Sequence, residues 1–191
     1  MDELVFDVET KEQFSDVGRD SARLGISVVG AYSYRTGEYR CYLESELEEF
    51  FEALRGASRV IGYNIKHFDY SVLQPYRPDF RLRALPTLDL MEEAAKILGF
   101  RPRLNDLAKA TLGVSKSGSG LEAIRWFREG KIEQLKSYCL DDVKITKELY
   151  EFGKRHGHLL IEKGITRQAE QFPVSWKDFK REEVRQVSLF G

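Results

Sequence analysis

Apolar runs that lead into acidic residues constrain this chain more than any other feature. Leu4-Val5-Phe6 runs straight into Asp7-Val8-Glu9-Thr10, and Val60-Ile61-Gly62 runs into Tyr63-Asn64-Ile65-Lys66-His67-Phe68-Asp69. A third stretch, Tyr138-Cys139-Leu140-Asp141-Asp142, lies inside a long helical pattern from about Ile132 to His156, which Gly157 is placed to end. On a strand, residues two apart share a face, so Asp7 and Glu9 project together, roughly 6–7 Å apart. On a helix, residues four apart share a face at about 5–6 Å, so Tyr138 and Asp142 form a second pair. Leu135, Cys139, Ile145 and Leu149 make an apolar stripe on that helix, with the pair on or beside it. Both pairs are therefore expected to point inward. Inward carboxylates repel one another and are costly to desolvate, and divalent metal removes both penalties. Asp7, Glu9, Asp69 and Asp142 are hard oxygen ligands with no Cys or His cluster beside them, which suits a pair of Mg²⁺ or Mn²⁺ ions.

Each piece alone has a plainer reading. An Asp-x-Glu pair fits surface charge or a loop cap. Asp69 fits a carboxylate at a helix N-terminus, favoured by the dipole. Tyr138-x-x-x-Asp142 fits a solvated helix face. Taken together in this order, each in its expected structural setting, the three stretches point to a metal site.

The remaining pattern places these stretches on a sheet. Leu4–Phe6 reads as a strand, and Glu12–Leu24 as a polar loop or a short turn of helix. Ile26–Tyr34 and Tyr39–Leu43, separated by Thr36-Gly37, give a hairpin signal. Ser45 with Glu48 forms a capping-box pattern for a helix reaching about Leu54. Val60–Gly62 is a further strand, and His67–Leu73 is helical until Pro75. After the Pro-containing loop 75–86, Thr87–Leu90 is a short strand or a lead into a helix over Met91–Leu98. Helices are expected at Leu104–Leu112 and around Glu122–Glu129, with the flexible-looking Ser115–Gly120 between them. Three leading strands, two more separated by helices, and closing helices make a mixed α/β sheet with helices on its faces.

Length and composition allow one sizeable core. The chain has 191 residues, 42% apolar and 32% charged, which describes a globular protein rather than a disordered one. No apolar run approaches a membrane span, and the N-terminus shows no secretory pattern. Cys41 and Cys139 fit no metal spacing and read as reduced thiols of a cytoplasmic protein. The net charge of −1 gives no global support for nucleic-acid binding. From Arg77 to Lys131, however, bases outnumber acids. That section fits either a phosphate-tracking surface or a set of solvated helix faces.

Together, Asp7-x-Glu9, Asn64-x-x-x-Phe68-Asp69 and Tyr138-x-x-x-Asp142 resemble the DEDD superfamily of 3′–5′ exonucleases on a ribonuclease H-like fold. Tyr before the last Asp resembles its tyrosine branch, and the second and third stretches look most like the proofreading domains of B-family DNA polymerases. The resemblance covers roughly residues 3–156. It implies a ribonuclease H-like, mixed five-stranded sheet flanked by helices, with three antiparallel and two parallel strands. It implies catalysis by Asp7, Glu9, Asp69, Tyr138 and Asp142 with two divalent cations, Mg²⁺ or Mn²⁺. Asp7, Glu9 and Asp142 would ligate one ion, Asp7 would bridge to the second, and Asp69 would hold that second ion mainly through water. Tyr138 would orient the attacking water. Asn64 and Phe68 would shape the pocket, and Thr10 would approach the terminal nucleotide. The product would be a nucleoside 5′-monophosphate cut from a DNA 3′ end, single-stranded by preference. The alternatives are an RNA 3′-end processing exoribonuclease of the same superfamily, and a non-catalytic nucleic-acid or clamp-binding adaptor. Four clustered carboxylates count against the adaptor, since a pure binder gains nothing from acids where phosphates must approach.

The chain is expected to divide into an exonuclease domain, 1–169, and a C-terminal tail, 170–191. The tail ends in Gln186-Val187-Ser188-Leu189-Phe190, which resembles the bacterial sliding-clamp-binding pentapeptide through Gln186, Ser188, Leu189 and Phe190. Val187 departs from the commonest Leu. A tail that folds back and buries Leu189 and Phe190 on its own domain is the competing reading. The resemblance implies recruitment of a monomeric enzyme by a sliding clamp in replication or repair. His156-Gly157-His158 reads as a helix end, and Trp126 and Phe127 read as core aromatics rather than base-stacking platforms.

Overall fold

Strand β1, Asp2–Thr10, lies at the middle of a five-stranded sheet and is buried along nearly its whole length. The computed structural model describes residues 2–18, 20–115, 117–163 and 168–176. The sheet has the order β3-β2-β1-β4-β5, with β2 at Ile26–Ser33, β3 at Glu38–Tyr42, β4 at Ala57–Gly62 and β5 at Thr87–Asp89. The first three strands are antiparallel, while β4 and β5 run parallel to β1. The parallel crossovers need helical connections, supplied by α2 (Leu47–Gly56) and α3 (Asp69–Leu73). This is the mixed five-stranded sheet, flanked by helices, expected from the sequence.

Alternation along β1 sorts its side chains between two layers. Leu4, Phe6 and Val8 face a core closed by α2 and α3, where the Phe6 ring meets Phe50 at 5.3 Å and Tyr70 at 6.2 Å. Val5 faces the opposite layer, built from α5 (Leu104–Leu112), α7 (Ile132–His156) and a second, two-stranded sheet. Asp7 and Glu9 lie on that second face, under α7. Helix α7 buries Leu135, Tyr138, Cys139, Asp142, Val143, Ile145, Thr146 and Leu149, a stripe at three- and four-residue spacing.

A glycine lets α7 come close. Gly30 on β2 pairs with Asp7, and a Cβ there would stand 2.9 Å from Cys139 Sγ and 3.2 Å from Val143 Cγ2. Any other residue forces the helix outward.

Two expectations are corrected. Ser45 and Glu48 do not cap α2. A 3-10 turn at Glu44–Glu46 precedes the helix, and Leu43 N–H donates to Glu46 Oε2 at 2.8 Å instead. The chain also does not become a bare tail at Glu170. Strand β7 (Gln168–Pro173) pairs antiparallel with β6 (His158–Lys163), and Phe172, Val174 and Trp176 are buried against α7 and its neighbours. Trp176 Nε1 donates to Tyr150 O at 3.0 Å, and Gly153 leaves the space its ring fills. Thr111 on α5 donates to Leu160 O and accepts from Leu160 N–H, which ties the hairpin to the domain.

Candidate active site

Three elements meet at one end of β1. The strand itself presents Asp7 and Glu9, opposite Gly30 and Val28 of β2, and its pairing register shifts between Glu9 and Thr10. Helix α7 brings Tyr138 and Asp142 down from above. Asp69 stands in the first turn of α3. Ligand oxygens of Asp7, Glu9 and Asp142 all lie within 4.8 Å of one another. Glu9 and Asp142 are buried and Asp7 is partly exposed, so the group opens to solvent through Asp7. Asp69 is not among these three. It lines the same cleft, fully buried, and accepts Val8 N–H on Oδ1 at 3.0 Å.

Burial pushes the Asp69 carboxyl up to about 8; the charge of Asp89 adds to the shift, and the N–H donors of Asp69 and Val8 oppose it. The Cys139 thiol is also held well above its usual value, by burial first and then by Asp7 and Glu9. Its Sγ lies 3.6 Å from Asp7 O. A protonated, buried thiol is packing, not a nucleophile.

The cleft has a volume of about 410 Å³. Thr10, Asn64, Phe68 and Tyr138 all line it, so every substrate-contact residue expected from the sequence reaches one space. Thr10 Oγ1 donates to Glu12 O at 2.9 Å, which turns the chain away after β1. The Phe68 ring meets Phe14 at 6.0 Å. Tyr138 packs edge-on against Trp126 at 5.8 Å, so Trp126 supports the site from behind instead of offering a free stacking face. Phe14, Leu121 and Ile124 also line the cleft, from α1 (Phe14–Val17) and α6 (Gly120–Arg128). Gln186, Ser188, Leu189 and Phe190 lie outside the described residues.

Asp89 is the functional-site residue that sequence reasoning missed. It ends β5 and caps α4 (Leu90–Leu98), accepting Met91 N–H at 3.1 Å and Glu92 N–H at 3.2 Å. The same carboxylate accepts Asn64 N–H at 2.8 Å and Lys66 N–H at 3.0 Å. Asn64 has φ 67°, a left-handed conformation that Asn tolerates better than most residues. Asp89 thus holds the strained turn that delivers Asn64, Phe68 and Asp69. An Asp directly before a helical pattern was a visible N-cap signal. Its second set of donors, more than twenty residues away, was not visible.

The donor set fits a hard divalent cation. Three convergent carboxylates, two of them buried, supply oxygen ligands and excess negative charge, while no thiolate or imidazole enters the group. Asp7, Glu9 and Asp142 would hold the ion, with Asp69 next to them.

No curated protein matches the sequence. Among solved structures, the family B DNA polymerase from the hyperthermophilic archaeon Pyrobaculum calidifontis is similar, with a TM-score of 0.61 at 17% identity over 81% of this chain. Trypanosoma brucei RNase D is similar with a TM-score of 0.56 at 14% identity over 78% of the chain. The chain spans 24% of that polymerase and 56% of that RNase D. At such identities these likenesses speak for the fold. Residues 4–152, a stretch that holds Asp7, Glu9, Asp69, Asp142 and most of α7, match the RNase_H_2 family of the RNase_H superfamily. The chain therefore belongs to the RNase H superfamily.

Proposed function

We propose that this protein is a metal-dependent 3′–5′ exonuclease that releases nucleoside 5′-monophosphates from DNA ends. The observation that carries the reading is the convergence of Asp7, Glu9 and Asp142 within 4.8 Å, in a cleft that Asp69 and Tyr138 also line. Mg²⁺ or Mn²⁺ bound there would neutralise charge on a phosphodiester and make water a better nucleophile. The chain's own residues do the rest. Asp7, Glu9 and Asp142 hold the cations, and Asp69 completes the set. The Tyr138 hydroxyl orients the attacking water, with its ring fixed against Trp126. Phe68 and Phe14 offer aromatic surface to the terminal base, and Thr10 and Asn64 border its sugar and phosphate.

The test is a 5′-labelled single-stranded DNA incubated with wild type and Asp142→Ala, in Mg²⁺, in Mn²⁺ and in chelator. A ladder that shortens from the 3′ end, and that disappears with Asp142→Ala and with chelator, is the expected result. No cleavage of DNA or RNA by folded wild-type protein with either metal sinks the reading and favours the adaptor.

The similarity to an RNase D favours a second reading, trimming of RNA 3′ ends. Matched substrates that differ only at the 2′-hydroxyl separate the two. We further infer recruitment by a bacterial sliding clamp through Gln186, Ser188, Leu189 and Phe190, which supports DNA as substrate and a role in replication or repair. Deleting the last six residues is expected to abolish clamp binding and leave nuclease activity on free DNA intact. Retained clamp binding would remove the tether from the account. The enzyme acts as a cytoplasmic monomer in this reading. No described helix is long and apolar enough to cross a membrane.

A further inference from the structure

The carboxylates face two clefts, not one. The larger holds Phe14, Phe68 and Leu121. A second, of about 280 Å³, shares Asp7, Tyr63, Asn64 and Asp142 with the first but is closed by Arg101, Pro102 and Arg103. Its arginines come from the connection between α4 and α5. Tyr63 OH donates to Pro102 O at 2.7 Å, which fixes that connection beside the site. The Arg101 guanidinium donates to Asn64 Oδ1, so it is aimed at the boundary between the two clefts.

Most other bases of the chain's basic middle section are engaged elsewhere. Arg77 pairs with Glu48 and Asp79, and Lys96 with Glu92 and Glu93. Arg125 pairs with Glu122 and Glu129, Arg128 with Glu12 and Asp16, and Lys131 with Glu129. These are faces of surface ion pairs, not one phosphate track. Arg101 and Arg103 differ because they share a cleft wall with the carboxylates.

The two clefts suit the two sides of a scissile phosphodiester. The apolar one suits a base, with Phe14 44% and Leu121 65% exposed at its rim. The arginine-walled one suits phosphates, since its positive charge offsets the repulsion that Asp7, Glu9 and Asp142 exert on a polyanion. We propose that Arg101 and Arg103 form a phosphate clamp for the strand immediately upstream of the scissile bond, while the departing 3′ nucleotide occupies the Phe14–Phe68–Leu121 cleft. This rests on the nuclease reading and assigns it a strand polarity. Arg101 has a planar fork suited to a phosphate and, when empty, parks on Asn64.

The experiment compares two substrates. One is a single-stranded oligonucleotide that fills both clefts. The other is the p-nitrophenyl ester of thymidine 5′-monophosphate, which has no upstream phosphate to reach the arginines. Wild type is measured first, on both, in Mn²⁺. The variants are Arg101→Gln, Arg103→Gln, the double change, and the double change to Lys. The double Gln variant is expected to lose roughly tenfold or more in kcat/KM on the oligonucleotide, mostly in KM, with a much smaller loss on the ester. The dependence of log kcat/KM on log salt should become shallower by about 0.7 per contact removed. The double Lys variant should recover much of the oligonucleotide loss. Arg103→Gln gives the cleaner single reading, because the Asn64 contact belongs to Arg101. Equal losses on ester and oligonucleotide would mean that the arginines shape the site rather than hold the strand, and would overturn the clamp. An unchanged salt slope would do the same. Wild type inactive on both substrates would remove the nuclease reading itself, and the clamp with it.

Discussion

At Asp69, burial and charge conflict. Its carboxyl is raised from 3.8 to about 8, so across that interval the metal-free native state holds a proton that the unfolded chain has released. The sign follows: this group's contribution to stability is full below about 4, falls as pH rises toward about 8, and is level above. In chelator, the melting temperature of wild type should fall more between about pH 5 and pH 8 than that of Asp69→Asn, which cannot titrate there. Parallel curves would show that the carboxyl is already ionised in the fold. Metal must displace the proton, so cation affinity should climb over the same window and the loss of stability should vanish at saturating Mn²⁺. Tyr138 offers a separate test. Tyr138→Phe keeps the ring against Trp126 and removes only the hydroxyl. We expect kcat to fall by roughly ten- to a hundredfold, with little change in melting temperature. The carboxylates were legible in the sequence because two simple periods, two and four, already pair Asp7 with Glu9 and Tyr138 with Asp142. Asp89 was not, because half of its donors arrive from a distant loop.

At the scale of elements, the site depends on how closely α7 approaches β1 and β2. Strand alternation and the helical stripe were enough to foresee that approach, but not what limits it. The limit is Gly30, where a Cβ would meet Cys139 Sγ at 2.9 Å. Gly30→Ala is therefore expected to destabilise the protein by about 1–3 kcal/mol and to weaken Mn²⁺ binding, since Tyr138 and Asp142 ride on the displaced helix. Cys139→Ala in the same chain should restore part of both losses, and the double-mutant cycle measures that coupling. Strict additivity would mean that the helix does not press on β2 at this point. Sequence reasoning placed the cap of α2 wrongly for a related reason. Ser45 and Glu48 match a pattern, but the chain enters the helix through a 3-10 turn, which shifts the effective acceptor to Glu46.

For the whole molecule, what matters is how far the fold extends beyond α7. Neither strand of the closing hairpin was foreseen from the sequence: His158–Lys163 holds only a short apolar run, and Gln168–Pro173 is polar with a terminal proline. Its strand form is imposed by pairing with β6, and it is anchored by Phe172 and, just beyond it, by Val174 and Trp176. Trp176 fills the space above Gly153 and donates to Tyr150 O, in the turns of α7 that follow Asp142. The hairpin thus braces the C-terminal half of the helix whose N-terminal half carries the site. A chain ending after Trp176 should keep the melting temperature and the nuclease activity of the full chain on free DNA. A chain ending after Gly157 exposes the apolar faces of α5 and α7 that Leu159, Ile161 and Phe172 cover. It should melt far lower or fail to fold. Trp176→Ala in the full-length protein isolates the anchor, with an expected cost of about 3–5 kcal/mol by denaturant unfolding. A cost near zero would mean that the hairpin is an ornament on the domain. A cost in that range makes it part of the machinery that holds Asp142 over β1.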